Sequence, residues 1–195
     1  MRLFKRSEPK ELATLATATN LFSAAECDRI IEIGTRQTQR TGGLMRPAPG
    51  VPTEQKRKSE VAWIEPGPET DFIFDRLERI ATEVNQNSFQ FSLMGFGEPL
   101  QFTTYRGGGS HYGWHQDIGG GKTRFRKLSI VVQLSDPATY RGGNLELSME
   151  GKAVAVDRTR GTGLVFAAWQ LHRVTPLEEG LRHSLVAWIT GEPFR

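Results

Sequence analysis

The chain has 195 residues, of which 37% are hydrophobic and 24% are charged, and this balance excludes wholesale disorder. The formal net charge of +3, from 25 Lys and Arg against 22 Asp and Glu, gives only weak support for a nucleic-acid partner. The one cysteine, Cys27, excludes an internal disulfide and a cysteine-based zinc site, and the longest apolar run, residues 164–169, is too short to span a bilayer. We therefore expect one domain over residues 1–195, no signal peptide and a cytoplasmic location.

The N-terminal part of the chain predicts helices. Residues 1–20 are polar and lack a clear period, so we expect a partly ordered lead-in to a helical support region over about 21–87. Ser23 and Glu26 have the spacing of a capping box and predict the start of the first helix. Gly34 is expected to end that helix, since glycine is favoured just past a helix C-terminus.

The segment that follows is rich in Gly, Pro and basic residues. Residues 41–58 are expected to form a long mobile loop. Its Lys-Arg-Lys run at 56–58 favours a solvated surface, with attraction of an acidic peptide flank as the alternative. Residues 61–64 then predict a short strand, and the helical spacing of apolar residues over 71–85 predicts a second helix.

From residue 88 onward the pattern changes to short apolar or alternating runs separated by Gly, Pro and Asp. Short strands at regular spacing are typical of a sandwich or barrel. The fold class is therefore predicted as α+β, mainly β, with a core over about 88–195 and the functional site within about 97–191. The predicted strands are residues 89–94, 100–105, 128–134, 145–149, 153–156, 164–169 and 182–190.

Alternation in two of these strands, 128–134 and 182–190, separates an apolar face from a mixed face. The apolar face is expected to pack against the helices. The mixed face carries Val131, Val186 and Trp188 among polar residues. These large apolar groups favour the wall of a ligand cavity over a solvated surface.

A candidate metal site comes from His115 and Asp117, which lie two residues apart and point the same way on an extended chain. His172, on a strand-like stretch, is the candidate third ligand. Two histidines and one carboxylate form the facial triad of non-heme Fe(II) oxygenases. Arg182 follows His172 across a predicted turn at 176–180, and its guanidinium is suited to hold a carboxylate with two parallel hydrogen bonds. A triad with such a clamp is what binding of 2-oxoglutarate requires.

These motifs also carry a family resemblance, together with QFTTY at 101–105, RKLSIVVQLS at 126–135, YRGGNL at 140–145, HRVTP at 172–176 and Trp188. The sequence resembles Fe(II)/2-oxoglutarate dioxygenases of the prolyl 4-hydroxylase type, in their bacterial or phage-like branch, from about residue 22 to residue 191. The resemblance implies a double-stranded β-helix, or jelly roll, braced by N-terminal helices. Arg at position 182 favours the oxygen-sensing and bacterial branches over the collagen-type enzymes, many of which have Lys there.

The resemblance also implies roles for individual residues. Fe(II) would be bound by His115, Asp117 and His172, and no catalytic residue is expected beyond this metal site. The distal carboxylate of 2-oxoglutarate would be bound by Arg182, in a cosubstrate pocket that also includes Tyr105, Gln133 and Trp188. Tyr112 and Arg126 lie where related enzymes contact the peptide substrate.

The function expected from this likeness is hydroxylation of a prolyl residue in a protein or peptide, with O2 as cosubstrate, release of succinate and CO2, and ascorbate as a possible reductant. We expect neither a membrane nor a nucleic-acid partner; nucleic-acid demethylases of the same superfamily carry a second Arg where this chain has Trp188. The same chemistry on a free amino acid, a small metabolite or another protein side chain is an alternative. A further alternative is a catalytically silent jelly-roll binding or sensor module.

Other conspicuous residues are assigned more ordinary roles. Glycines around His111 disfavour a helical metal pair with His115, so His111 is expected to be a loop or outer residue. His183 points away from Arg182 and is expected to be structural. Residues 118–124 are glycine-rich and predict a flexible loop, either a lid over the substrate or a solvated hairpin tip.

Overall fold

The computed structural model describes residues 14–43 and 53–193, and every structural statement below refers to this part of the chain. Most of the predicted lead-in, residues 1–13, lies outside the described residues, as does the centre of the predicted loop, residues 44–52. Within the described ranges, every helix is too short or too polar to serve as a membrane span.

Helices and strands follow in the expected order, since the three α-helices precede most of the strands. The helices are α1 (Ala24–Arg36), α2 (Thr53–Lys56) and α3 (Asp71–Val84), with a π-helical turn at Asn85–Phe89 and 3-10 turns at Gly121–Phe125 and Pro137–Thr139. The strands are β1 (Leu15–Ala18), β2 (Arg40–Thr41), β3 (Arg57–Lys58), β4 (Glu60–Ile64), β5 (Leu93–Phe96), β6 (Leu100–Arg106), β7 (Ser110–His115), β8 (Arg126–Gln133), β9 (Tyr140–Gly142), β10 (Leu145–Met149), β11 (Lys152–Ala155), β12 (Gly163–Ala167) and β13 (His172–Gly191).

The strands form two antiparallel sheets that share β13. The C-terminal half of β13 lies in a larger sheet of order β1-β12-β8-β13-β6-β4-β2, where its last residues also pair with β5. The N-terminal half pairs with β10, β7 and β9 in a smaller sheet, to which β11 and β3 add outer strands. This arrangement confirms the predicted mainly β jelly roll with helices before it.

The first helix begins as predicted and ends later. Ser23 and Glu26 form the capping box, with the backbone N–H of Glu26 donating to Ser23 Oγ at 3.3 Å. Gly34 does not end α1, which continues to Arg36, so that prediction was wrong. The glycine is needed for packing instead, because a Cβ at this position would lie 2.4 Å from the ring of Phe102 on β6.

Two segments expected to be irregular contain regular structure. The predicted lead-in includes β1, which pairs with β12 at the edge of the larger sheet. The predicted mobile loop over 41–58 includes α2 and β3, and Arg57 of β3 is buried. Short strands of this kind are stabilised by their partners rather than by their own sequence, so periodicity alone did not reveal them.

Alternation in the central strands is confirmed by the packing. The apolar faces of β8 and β13 share one buried cluster with residues of α1 and α3, such as Ile30 and Leu77. Val131, on the mixed face of β8, belongs to a second cluster with Leu147 and Phe166. The helices therefore cover one side of the larger sheet, and the other side faces the functional site.

Three predicted boundaries differ from the structure. The strand expected over 89–94 begins only at β5, because the chain first makes a π-helical turn and then passes through a left-handed Gln90 at φ 55°. The turn expected at 176–180 is part of the continuous strand β13, which shifts register there as it passes from the smaller to the larger sheet. Residues 118–124 are not a hairpin tip, since they lead from β7 in one sheet to β8 in the other through a 3-10 turn.

Candidate active site

A cavity of about 330 Å³ is lined by residues from both sheets. Val131, Val186 and Trp188 line it, as the mixed faces of the two strands predicted. Other lining residues include Tyr105, His115, Asp117, His172 and Arg182. The structure thus brings the predicted triad and the predicted carboxylate clamp to one place.

The three predicted metal ligands converge at the smaller sheet. Donor atoms of His115, Asp117 and His172 all lie within 4.8 Å of one another. Nε2 of His115 is 3.7 Å from Asp117 Oδ1, and Nε2 of His172 is 3.6 Å from Asp117 Oδ2. Strand register creates this juxtaposition, because His172 on β13 lies directly opposite His115 on β7.

Backbone carbonyls fix both imidazoles. Nδ1 of His115 donates to the carbonyl of Gly113 at 2.8 Å, and Nδ1 of His172 donates to the carbonyl of Gln170 at 2.8 Å. A carbonyl accepts only, so each Nδ1 carries a proton, and in the neutral form of each ring Nε2 has the free lone pair. Both rings therefore present Nε2 to the space beside Asp117, which is the form that binds a metal.

The protonation states also suit a cation. Burial, with a contribution from His172, lowers the pKa of His115 to about 3, so this ring is neutral near neutral pH. Burial acts against the charged form of Asp117, but the two imidazoles and a hydrogen bond from Ser129 outweigh it and hold the pKa of Asp117 below its ordinary value. An ionised carboxylate beside a neutral imidazole is ready to bind a cation without releasing protons.

Arg182 lies in the same cavity wall and is 1% exposed. Its Nη2 donates to Gln133 Oε1 at 2.9 Å, and its guanidinium carbon lies 5.2 Å from the centre of the Tyr105 ring, directly across from it in the β6–β13 register. Among the described residues, Nη1 is buried and has no hydrogen-bond partner. A buried cationic donor without an acceptor is costly, so this atom indicates a binding site for an anionic group.

A profile of the 2OG-Fe(II) oxygenase superfamily matches residues 100–190, which contain the triad and Arg182. Residues 100–190 therefore correspond to a 2OG-Fe(II) oxygenase domain. The match begins with β6 and ends in β13, so the domain comprises most of the β core.

Relatives of this oxygenase domain include PKHD-type hydroxylases. The one from Hyphomonas neptunium is 36% identical over 102 residues, which are 48% of this chain and 46% of that protein. The one from Synechococcus elongatus is 32% identical over 127 residues, which are 62% of this chain and 56% of that protein. The matched stretch thus spans about half the length of these curated relatives.

Solved structures share the fold of the domain and its helices. A prolyl hydroxylase from Trichoplax adhaerens, in complex with a peptide fragment of the hypoxia-inducible factor oxygen degradation domain, has a TM-score of 0.75 at 18% identity, covering 91% of this chain and 84% of that one. A Pseudomonas putida prolyl-4-hydroxylase has a TM-score of 0.68 at 23% identity, covering 92% and 93%. At these identities the likeness establishes the jelly-roll fold.

The oxygenase domain implies Fe(II), 2-oxoglutarate and O2, and the residues present fit the first two. Two imidazoles and one carboxylate within 4.8 Å match the donor set of non-heme Fe(II). The unpartnered Nη1 of Arg182 supplies the donor that a distal carboxylate needs. The two sites lie in one cavity, as binding of a single diacid between them requires.

The remaining predicted cosubstrate residues surround Arg182 and the triad. Tyr105 lines the cavity under the guanidinium, whereas Gln133 contacts that guanidinium directly. Trp188 faces Ser129 across the β8–β13 pair, and its buried indole Nε1 has no hydrogen-bond partner in the described part of the chain. The same indole helps to hold the pKa of Asp117 below its ordinary value, so it faces the carboxylate of that ligand candidate.

The two predicted substrate residues both line the cavity beside the triad. The ring of Tyr112 stacks on His115, with centroids 3.5 Å apart. Arg126 forms an ion pair with Glu98 through two bonds of 2.7 Å and donates to the backbone carbonyl of Asp117 at 3.0 Å. Through this bond to the main chain, Arg126 therefore also helps to position Asp117, one of the metal-ligand candidates.

Sequence reasoning missed three residues of the site. Ser129 Oγ donates to Asp117 Oδ2 at 2.6 Å, although strand alternation had placed it on the mixed face without a role. Glu98 was not considered, and only its pairing with Arg126 reveals it. Arg57 was assigned to a solvated run, yet it is 5% exposed and lines the cavity.

The other two histidines lie apart from the triad, although His111 belongs to strand β7 and not to a loop. Both ring nitrogens of His111 contact backbone carbonyls, those of Gly109 and Gln55. His183 stacks on Phe102, and its Nδ1 is 3.1 Å from Thr104 Oγ1. Burial, with Arg106 and Arg182 nearby, lowers the pKa of His183 to about 4, as expected for a neutral structural histidine.

Proposed function

We propose that this chain is an Fe(II)- and 2-oxoglutarate-dependent hydroxylase that acts on a prolyl residue of a protein or peptide and releases succinate and CO2. The observation that carries the proposal is one cavity that holds both the His115, Asp117 and His172 donor set and the unpartnered Arg182 Nη1. Prolyl specificity is supported by the fold shared with prolyl hydroxylases.

Under this proposal His115, Asp117 and His172 hold the iron. Bound there with 2-oxoglutarate and O2, the metal supplies the oxidising power that inserts one oxygen atom into an unactivated C–H bond. The protein's part is geometric: the two imidazoles are oriented by backbone carbonyls, and Ser129 orients the carboxylate of Asp117.

Arg182 binds and orients the cosubstrate. Gln133 occupies Nη2 and so leaves Nη1 directed to the distal carboxylate. Val131 and Val186 form an apolar part of the wall, which excludes water from the reacting atoms and limits side reactions.

The peptide is proposed to pass beside Tyr112 and Arg126, on the side of the cavity next to His115. Tyr112 offers a rigid aromatic surface held by its stack on His115. Arg126 is fixed by Glu98 and lies over the ring of Trp188, with the guanidinium carbon 3.6 Å from the ring centre. Rigid groups of this kind position a substrate at low entropic cost.

Mass spectrometry of a proline-containing peptide library tests the proposal. The full chain is incubated with Fe(II), 2-oxoglutarate and ascorbate under air, and Asp117→Ala serves as the matched control. We expect peptides that gain one oxygen atom on proline, with succinate formed in step. Succinate formation no higher than in Asp117→Ala would overturn the oxygenase assignment, whereas oxygen gained only on other residues would overturn the prolyl assignment.

A further inference from the structure

The cavity holds one cationic group for which the proposed cofactor set offers no counter-ion. Three guanidinium groups line it among the described residues: Arg57, Arg126 and Arg182. Arg126 is neutralised by Glu98, and Arg182 is assigned to the distal carboxylate of 2-oxoglutarate. Arg57 remains, and it forms no ion pair with any described acidic residue.

Neutral acceptors hold Arg57 in place. Its Nε donates to Ser59 Oγ at 2.8 Å and its Nη1 donates to the backbone carbonyl of Gly43 at 3.2 Å. Its Nη2 is buried and has no hydrogen-bond partner within the described part of the chain. The side chain is thus fixed in orientation while one charged donor stays unsatisfied, which is the situation that a bound acceptor relieves.

The position of Arg57 places that donor beside the metal-ligand candidates. β3 pairs with β7 in a register that sets Arg57 opposite Tyr112. The guanidinium carbon lies 4.4 Å from the centre of the Tyr112 ring, and that ring stacks on His115. The Tyr112 ring therefore contacts both Arg57 and the ligand candidate His115, so a group bound by Arg57 lies close to the triad.

Charge balance indicates the kind of group. With Fe(II) and 2-oxoglutarate in place, the divalent ion is matched by Asp117 and one cosubstrate carboxylate, and Arg182 by the other. Arg57 has no ion-pair partner among the described residues and its Nη2 is unpaired, so its positive charge is uncompensated. In a buried site an uncompensated charge is unfavourable, and an anionic ligand is preferred over a neutral one of the same shape.

We propose that Arg57 binds a carboxylate of the substrate, close to the carbon that is hydroxylated. This inference rests on the proposed function and deepens it, because it restricts the prolyl substrate to one with a nearby negative charge. The carboxylate has two possible sources: the α-carboxylate of a terminal or free proline, or the side chain of an Asp or Glu next to an internal proline.

Binding measurements on the full chain test this without turnover. The protein is loaded with Zn(II), which does not support the oxidation, and with 2-oxoglutarate, and calorimetry compares N-acetyl-L-proline with N-acetyl-L-prolinamide. We expect the carboxylate to bind at least about tenfold more tightly than the amide, as for a charge-assisted hydrogen bond. Equal affinity for the two compounds, or no binding of either, overturns the α-carboxylate source.

A second pair of probes tests the other source. Internal prolyl peptides with Asp or Glu beside the proline are compared with the same peptides carrying Asn or Gln. Preference for the acidic member supports a side-chain carboxylate. If neither pair of probes shows a preference for the anion, the role of Arg57 is refuted.

Variants test whether Arg57 is the cause of any preference for the anionic probe over the neutral one. In Arg57→Gln the preference should disappear, whereas Arg57→Lys, which keeps the charge, should retain part of it. Lys58→Gln removes a positive charge from the neighbouring exposed position and should leave the preference intact. Persistence of the preference in Arg57→Gln overturns the inference; if that variant does not fold, the wild-type comparison and Arg57→Lys still decide.

Failure of the inference and failure of the proposed function are distinguishable. Oxygen incorporation into neutral prolyl peptides, with no effect of Arg57→Gln, would refute the anion site and leave the hydroxylase intact. A carboxylate preference in the Zn(II) protein with no succinate formed by the Fe(II) protein would refute the hydroxylase and leave the anion site intact.

Discussion

His172 and His115 lie directly opposite each other across the antiparallel pair β13–β7, with ring centroids 4.1 Å apart. The third ligand candidate is held by main-chain bonds as well, since the N–H of Asp117 donates to the carbonyl of Ala168 at 2.9 Å. The convergence of the triad therefore follows from the strand register and the main-chain hydrogen bonds of the sheet.

Removal of a ligand should abolish metal binding while the fold persists. In Asp117→Ala and His115→Ala we expect Fe(II) affinity and succinate formation to fall by at least about a hundredfold, since even outer contacts to metal ligands are worth about 10-fold to 100-fold. Anaerobic Fe(II) titration and a succinate assay measure the two effects. His111→Ala is the histidine control and should retain both, whereas unchanged succinate formation in Asp117→Ala would refute the triad.

Loss of the Arg182 guanidinium should weaken the binding of 2-oxoglutarate. In Arg182→Ala we expect the KM for 2-oxoglutarate to rise about 10-fold to 100-fold, the value of a charge-assisted hydrogen bond, with Fe(II) affinity unchanged. Arg141→Ala removes an exposed arginine paired with Glu178 and Glu179 and serves as control. The assignment fails if the KM for 2-oxoglutarate is the same in both variants.

Ser129 should tune the metal site although it is not a ligand. Ser129→Ala removes the 2.6 Å hydrogen bond to Asp117 Oδ2. We expect Fe(II) affinity to fall about tenfold, because contacts that orient a ligand are worth about 10-fold to 100-fold. Ser92→Ala changes an exposed serine and should leave Fe(II) affinity unaltered; equal affinities in the two variants would show that this bond does not support the site.

His183 should make the metal-free protein less stable in acid. Its pKa is lowered from 6.5 to about 4 in the folded state, so between these values the unfolded chain binds the proton and the folded chain does not. His183 therefore does not affect the free energy of unfolding above pH 6.5. As the pH falls toward about 4, it lowers that free energy by about 3 kcal/mol in total. Urea unfolding at several pH values should show a shallower dependence in His183→Gln; identical slopes would contradict the prediction.

Gly34→Ala should destabilise the protein, although alanine has a higher helix propensity than glycine. Alanine stabilises an exposed helix interior by about 1 kcal/mol over glycine, but here its Cβ would lie 2.4 Å from the Phe102 ring. We expect Gly34→Ala to lower the free energy of unfolding by about 1–3 kcal/mol through overpacking. Gly67→Ala, where a Cβ meets nothing within 4 Å, is the control; a stabilised Gly34→Ala would show that propensity outweighs packing.

Local patterns predicted those features that depend on neighbours along the chain. The capping box of Ser23 and Glu26 fixed the start of α1, and alternation in β8 separated Leu128, Ile130 and Val132 from Val131. The same logic paired His115 with Asp117, because two residues apart on an extended chain point the same way. Arg182 as an anion-binding group followed from residue type and spacing together with the family resemblance.

Features that depend on distant partners were not predictable in this way. Gly34 was interpreted as a helix end because its contact with Phe102 comes from another strand. Arg57 was assigned to a solvated run because nothing in the adjacent sequence shows that β3 pairs with β7.

The sequence by itself predicted a mainly β core, the candidate triad and the candidate carboxylate clamp, since side-chain type and local spacing carry that information, and its family resemblance predicted the jelly roll. Only the tertiary structure decided which groups surround them: Ser129 on Asp117, Gln133 on Arg182, and an unsatisfied Arg57 in the same cavity. The reason is physical, because strand register brings together residues that are far apart in the chain, and whether a buried donor is satisfied depends on those neighbours.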